Sequence, residues 1–204
     1  MDKGQQTRLA ILERAARVFS LSGYSGTSME TLTRATGLTK GGIYNHFGSK
    51  EALALEAFDF AQEQLRQRFR VFFEGRQHAC DRLLAMVEFF QSIIVDPLFP
   101  GGCVLLNTAV EADDTNPLLL DRARQAADSW REYVSRTIQL GIERQQIKPA
   151  TDATSVLSVL LASLEGSIML CKLYGTTQPM EHTVAHLARY IADLRADIPA
   201  TDEA

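Results

Sequence analysis

The 204-residue sequence predicts an all-α protein, with an N-terminal three-helix head and a larger C-terminal helical body, about nine helices in total. Apolar residues recur at spacings of three and four along most of the chain, which is the period of an amphipathic helix. Glycine, proline or a capping residue separates successive segments, as expected at helix ends. We find no strand-like alternation and no internal repeat. The apolar content of 46% is typical of a globular protein.

The charge is divided unevenly along the chain. Residues 1–50 hold seven lysines and arginines against three acidic residues, whereas the remainder holds 14 against 22. A basic head on an acidic body favours a nucleic-acid contact at one end.

Three further features indicate a cytoplasmic protein without a membrane segment. The polar residues 1–6 do not resemble a signal peptide. The most apolar stretch, residues 156–173, is interrupted by Glu165, which favours a buried helix over a membrane span. The three cysteines lack metal-ligand spacing and are expected to be reduced thiols.

The head begins with a predicted helix from Thr7 to Leu21, which Gly23 ends. Thr27 and Glu30 have the spacing of a capping box, so we expect Thr27 to cap the second helix. Gly37 ends that helix.

Thr39 is predicted to cap a third helix, with Ile43 and Phe47 facing inward. At about 100° per residue, Asn45 and Gly41 lie on the opposite, outward face. Two short helices joined by a glycine turn form a helix-turn-helix, whose second helix enters a DNA groove.

Two glycines within this short helix, Gly41 and Gly42, lower its stability by roughly 1 kcal/mol each relative to alanine. We interpret them as allowing a close approach of the backbone to DNA.

Three segments of the head resemble the N-terminal DNA-binding domain of the TetR family of transcriptional regulators, over about Thr7 to Leu55. They are Thr-Ser-Met-Glu-x-Leu, Gly-Leu-Thr-Lys-Gly-Gly-Ile-Tyr-Asn-His-Phe and Gly-Ser-Lys-Glu-Ala-Leu. The resemblance implies a DNA-binding domain over residues 1–48 and a ligand-binding and dimerisation domain over residues 49–204. It further implies a homodimer that binds a palindromic operator in double-stranded DNA, most simply a repressor that a small-molecule effector releases.

The resemblance also implies the residues that contact DNA. Asn45 would read a base; Tyr44, His46 and Lys50 would contact phosphate, and Lys40 base or phosphate, although His46 packing between helices is an equal alternative. The predicted DNA-binding residues are Thr27, Ser28, Thr39, Lys40, Gly41, Gly42, Tyr44, Asn45, His46 and Lys50.

The body is predicted to hold helices four to nine. Helix four begins after Ser49 and ends near Phe73; helices five and six cover residues 81–95 and 103–112. Helix seven follows Asn116 and reaches Arg144, and helix nine covers residues 179–196. Helix eight, residues 153–174, is apolar on nearly every side and is expected to be buried all round. We predict that helices eight and nine pack against their copies in the dimer.

An effector pocket in the body is implied by the resemblance, although residues of the apolar candidate types are more often plain core residues than ligand contacts. Glu165 lies within an apolar helix and needs a partner, either an effector or an arginine. The candidate ligand-binding residues are Phe58, Phe69, Phe89, Phe90, Cys103, Asn107, Trp130, Tyr133, Glu165 and Met169.

Cys103 carries an alternative hypothesis. It follows two glycines at a predicted helix start, where the dipole increases thiolate content, so the regulator could sense oxidants or electrophiles through it. His182 and His186 are four residues apart, but without a third ligand nearby they do not predict a metal site. We expect no cofactor and no enzymatic activity, because no catalytic triad order, phosphate-binding glycine loop or paired carboxylates occur.

Overall fold

The structure is a computed structural model that describes residues 2–196. This part of the chain is helical throughout, apart from connecting turns and an isolated antiparallel bridge between Ile147 and Arg195. The helices are α1 (Lys3–Ser22), α2 (Met29–Thr36), α3 (Lys40–Phe47), α4 (Lys50–Phe73), α5 (Ala79–Val95), α6 (Val104–Ala112), α7 (Pro117–Glu143), α8 (Ala153–Tyr174) and α9 (Gln178–Asp193). The predicted all-α class is confirmed.

Most of the predicted helix ends are confirmed by the hydrogen bonds that cap them. The Thr39 hydroxyl accepts from the Gly42 N–H at 3.1 Å, and the Ser49 hydroxyl accepts from the Ala52 N–H at 2.9 Å. The Asn116 side chain accepts from the Leu119 N–H at 3.0 Å. These side chains accept hydrogen bonds from backbone N–H groups that have no acceptor within the helix.

Two predicted helix starts in the head are wrong. Helix α1 begins at Lys3 rather than Thr7, because Asp2 and Gln5 form a capping box. Helix α2 is capped by Ser28, whose hydroxyl accepts from the Thr31 N–H at 3.0 Å. The Thr27 hydroxyl instead donates to the Gly23 carbonyl at 2.6 Å, so Thr27 belongs to the turn that precedes the cap.

Smaller differences occur in the body. Helix α5 begins two residues before the predicted start, and α9 spans Gln178–Asp193 rather than residues 179–196. Cys103 is the N-cap of α6 and not its first residue.

The described chain packs as two compact units, whose limits differ from the functional division predicted at residue 48. The first unit takes in the chain up to Arg68 together with Asp96–Asp128. The second unit takes in Phe69–Val95 and the described chain from Ser129. Helices α4 and α7 therefore contribute residues to both units.

The first unit has a core built mainly from α1, α2, α3 and the first half of α4. Leu32 and Ile43 are fully buried in it, as are Ala15 and Leu53. This core holds the two short helices of the helix-turn-helix, which bury few side chains of their own. Packing rather than intrinsic propensity thus stabilises α2 and α3.

In the second unit, α8 packs against α9 and α5. The expectation that α8 is buried all round is wrong for the single chain. Met169, Leu173 and Tyr174 are 51%, 66% and 70% exposed, and they lie on the C-terminal half of the helix. Within the described residues, α8 is also the one helix whose length and hydropathy would allow a membrane span. Of its most apolar 18-residue segment, 39% is buried in the protein.

Candidate DNA interface and effector site

Helix α3 presents the outward face that the sequence predicts. Ile43 and Phe47 are buried, whereas Gly41 and Asn45 are exposed. Thr39 caps the helix, so its first-turn amides are held in position by a side chain on the same surface. A β-carbon added at Gly41 would meet nothing within 4 Å, so the protein itself does not require glycine at this position.

Two of the predicted phosphate ligands lie on this helix beside each other. The Lys40 ammonium group is exposed and lies 5.6 Å from the centre of the Tyr44 ring. Tyr44 and His46 are half-buried on the flanks of α3. Of the two predicted DNA-binding residues just before α2, Ser28 is exposed and Thr27 is buried, so the Thr27 side chain is not available for a direct DNA contact.

Lys50, predicted to contact phosphate, has a partner within the protein. Its ammonium group donates to the Tyr24 carbonyl at 2.6 Å and lies 4.2 Å from the centre of the Tyr24 ring. Burial lowers the pKa of Lys50, while the carboxylate of Glu111 acts in the opposite direction. Lys50 therefore positions the turn between α1 and α2.

Glu111 of α6 holds the same turn. Its carboxylate accepts from the backbone N–H groups of Tyr24 and Ser25, at 2.8 and 2.7 Å. Gly23 has a φ of +71°, and a β-carbon there would lie 2.5 Å from this carboxylate. We name the contact of Glu111 with Tyr24 and Ser25 the glutamate clasp.

The start of α6 also lies against α1. The Ser20 hydroxyl donates to the Pro100 carbonyl at 2.5 Å. At Gly101, where φ is +96°, a β-carbon would lie only 2.0 Å from the Ser20 carbonyl oxygen. Only glycine fits this approach. The segment that contains α6 is thus fastened to the end of α1 before the helix begins and again near its end.

A small cavity with a volume of about 40 Å³ lies in the first unit between α1, α4 and α6. Two of the candidate effector residues, Phe58 and Asn107, line it together with Glu111. The Asn107 amide donates to the Gly101 carbonyl at 2.9 Å. The cavity is large enough for one or two waters but not for a drug-sized ligand.

Five other candidate effector residues form one aromatic cluster in the second unit. The ring centre of Phe69 lies 5.4 Å from that of Phe89 and 5.0 Å from those of both Trp130 and Tyr133. Phe90 lies 5.5 Å from Trp130. Most of these contacts are edge-on, which aromatic pairs prefer over face-to-face stacking. We refer to these five residues as the aromatic cluster.

Tyr133 is the polar member of the cluster. Its hydroxyl donates to the Arg82 carbonyl at 2.6 Å. Burial raises the pKa of Tyr133 to about 12, against the opposing charge of Arg82. Tyr133 is therefore neutral at physiological pH and holds α7 to α5.

The remaining candidates lie apart from the cluster. Glu165 is half-buried on α8, and Met169 is 51% exposed on the same helix. Cys103 is buried, with 6% of its surface exposed, as the N-cap of α6. Cys80 and Cys171 are also buried free thiols.

Sequence reasoning missed the residues that act across long stretches of chain. Glu111 and the Tyr24 amide that it binds are 87 residues apart, and no local pattern marks such a pair. Likewise, nothing in the sequence places Arg82 beside Tyr133. Nor does helix periodicity predict which of the aromatic candidates contact one another.

Comparison with known proteins agrees with this architecture. The family profile described as "Bacterial regulatory proteins, tetR family" matches residues 11–57, and that described as "Tetracyclin repressor-like, C-terminal domain" matches residues 79–187. A TetR transcriptional regulator from Chloroflexus aurantiacus J-10-FL is 45% identical, with a TM-score of 0.93 over 97% of this chain and 100% of that one.

Two further relatives are similar over most of their length. A TetR-family regulator from Cytophaga hutchinsonii is 34% identical, with a TM-score of 0.88 over 97% of this chain and 99% of that one. The transcriptional repressor DhaR of Mycobacterium sp. strain GP1 is 25% identical over 85% of this chain and 86% of its own. With its helix-turn-helix head and both profiles matched, the chain belongs to the TetR family of ligand-responsive, DNA-binding transcriptional regulators.

Proposed function

We propose that this protein is a cytoplasmic repressor whose homodimer places one α3 helix in the major groove of each half of a palindromic operator. The observation that carries the proposal is the outward face of α3, where Gly41 and Asn45 are exposed above the buried Ile43 and Phe47. A capped short helix with such a face fits the recognition helix of a helix-turn-helix.

In this proposal Asn45 reads a base edge, since its amide both donates and accepts. Lys40, Tyr44 and His46 bind phosphate, and the capped N-termini of α2 and α3 add partly positive amides beside Ser28 and Thr39. Lys50 can contribute as well, because an ammonium group has three donors and the Tyr24 carbonyl occupies one.

Dimerisation is proposed to use α8 and α9. The exposed apolar residues of α8 recur at spacings of four, with Leu170 and Tyr174 beside Met169 and Leu173. They form one continuous face, and covering such a face with its copy is the usual arrangement of a two-fold dimer. His182 and His186 are exposed on α9 in the same unit.

The effector is proposed to bind at the aromatic cluster. An effector releases the operator only if it binds more tightly to the protein form that does not fit DNA. Helices α4 and α7 contribute to both compact units, so they are the elements through which such a preference would be transmitted. The proposal involves no turnover of the effector.

The test is the salt dependence of operator binding. Lys40→Gln removes one phosphate contact per protomer, so the slope of log K against log salt should become shallower by about 2 for a dimer. Arg124→Gln on α7, an exposed arginine outside the head, is the matched control and should leave the slope unchanged. A slope that Lys40→Gln does not alter would contradict the proposed interface.

A thiol-sensing form of the same regulator is favoured by one observation, the position of Cys103 as the N-cap of α6. The helix dipole at that position favours the thiolate. The 6% exposure of Cys103 acts against direct access by a reagent. Mild alkylation of the native protein, followed by peptide mass analysis, tests the idea: if Cys103 stays unmodified, the sensing hypothesis is rejected.

A further inference from the structure

The second unit contains a groove whose charge is opposite to that of the body around it. About 600 Å³ in volume, the groove lies along one face of α7 and is lined by three arginines, Arg82, Arg136 and Arg144. Glu132 is the one acidic residue among its lining residues, which gives the lining a net charge of +2. Residues 51–204 as a whole hold 14 basic against 22 acidic residues, so this local excess is unusual.

The three arginines also differ from their neighbours in how they are paired. Arg76 and Arg195, in the same unit, form salt bridges with Glu88 and Asp81. Across residues 2–196, no salt bridge joins Arg82, Arg136 or Arg144 to a carboxylate. Their guanidinium groups therefore keep their charge and donors for a ligand or for solvent.

Arg82 is held in a geometry suited to binding an oxyanion. Its guanidinium carbon lies 4.1 Å from the centre of the Phe73 ring, a cation–π contact that restrains the group. Its Nε is buried and makes no hydrogen bond to the described protein. Because the Nε is closed off from solvent, the donors that an anion in the groove can reach are the terminal nitrogens of the guanidinium group.

The groove borders the aromatic cluster at Tyr133, which lines the groove and belongs to the cluster. The ring centre of Tyr133 lies 5.8 Å from that of Phe73 and 6.2 Å from that of Trp130. A ligand with its anionic group among the arginines would thus place its body against aromatic rings.

We propose that the arginine groove, formed by Arg82, Arg136 and Arg144 beside Tyr133, binds the carboxylate of a small organic acid with a flat apolar body. The inference rests on the proposed effector site at the aromatic cluster and assigns its ligand a chemical class. Guanidinium groups pair with carboxylates through two parallel hydrogen bonds, and they retain their charge at every physiological pH.

The experiment compares two probes of the same shape and different charge, 2-naphthoate and 2-naphthamide. Trp130 is the single tryptophan of the chain and lies in the cluster, so its fluorescence reports binding, with calorimetry as the second measurement. We expect 2-naphthoate to bind at least about tenfold more tightly than the neutral amide. Equal affinities, or no saturation by 2-naphthoate up to about 10 mM, would overturn the inference.

Variants locate the site. The double variant Arg136→Gln/Arg144→Gln changes two exposed side chains outside the core and should weaken 2-naphthoate at least about tenfold while leaving 2-naphthamide unaffected. Arg124→Gln on the same helix is the control and should leave both affinities unchanged. Undiminished 2-naphthoate affinity in the double variant would overturn the assignment to this groove.

Operator binding, measured without either probe, keeps the two proposals separable. A protein that binds operator DNA but not 2-naphthoate refutes the groove alone. A protein that binds 2-naphthoate at the arginines but no operator refutes the repressor function and leaves the groove standing.

Discussion

At the scale of single residues, the glutamate clasp shows how one side chain fixes the turn of the DNA-binding head. The Glu111 carboxylate accepts hydrogen bonds from two backbone N–H groups for which the turn itself provides no acceptor. Glu111→Ala should lower the free energy of unfolding by about 1–2 kcal/mol, because both amides lose a charged acceptor. It should also weaken operator binding, because the turn precedes α2. Chemical denaturation and DNA titration measure the two effects.

Asp114→Ala provides the control for the clasp, since Asp114 is exposed shortly after α6. It should leave both stability and operator affinity near those of the parent protein. Full operator affinity in Glu111→Ala would show that the clasp stabilises the head without orienting it.

Tyr133 predicts an alkaline limit to stability. Its pKa is raised from 10.0 to about 12, so the folded state favours the neutral phenol. This stabilisation is complete below pH 10 and is lost as the pH rises from 10 to 12, with a total of roughly 2–3 kcal/mol. In chemical denaturation, the free energy of unfolding should fall less between pH 8 and pH 11 for Tyr133→Phe than for the parent protein. Tyr174→Phe, at a tyrosine 70% exposed, should behave like the parent.

At the scale of the helix, we expect substitution of Gly41 by alanine to raise stability and to weaken DNA binding. A methyl group there meets nothing within 4 Å, so Gly41→Ala should raise the free energy of unfolding, by up to about 1 kcal/mol. If DNA approaches the backbone of α3 at this residue, the same methyl group should weaken operator binding. A thermal melt and a DNA titration on one preparation test both statements. Unchanged affinity would place the DNA elsewhere on α3.

Helix ends show what the sequence can and cannot predict. The caps Thr39, Asn116 and Asp152 were predictable because donor and acceptor lie within three residues of each other. The cap of α2 was misassigned because Thr27 and Ser28 are adjacent hydroxyl residues, and only the bond from Thr27 to Gly23 decides between them. A local pattern thus identifies the helix but not always its first residue.

At the scale of the whole molecule, the exposed face of α8 predicts a dimer. Leu173 is 66% exposed, and a charged residue at this position should prevent a copy from packing against it. Leu173→Glu should therefore be monomeric by light scattering and should bind the operator more weakly, since one protomer contacts only one half-site. Its helicity by circular dichroism should be unchanged.

Val71→Glu is the matched control, because Val71 is 71% exposed on α4. It should remain dimeric and keep its operator affinity. A dimeric Leu173→Glu variant would exclude this part of α8 from the interface.

The candidate sites were predictable from the sequence to different degrees. The outward face of α3 follows from one helical period and agrees with the structure at Asn45 and Gly41. Seven of the ten effector candidates fall into two separate groups, because Phe58 and Asn107 line the small cavity in the first unit while Phe69 and Trp130 belong to the five-residue aromatic cluster. Periodicity predicts which side of a helix is buried, but not which neighbour covers it.

The approach of Gly101 to Ser20 has a consequence for how this protein can change over evolution. Two main-chain segments about eighty residues apart in sequence touch there with no side chain between them. Substitution of neighbouring side chains leaves this main-chain contact intact, so the surrounding residues can change during evolution without loss of the contact. A single added methyl group at position 101 would force the two main-chain segments apart, so we expect homologues to retain glycine at this position.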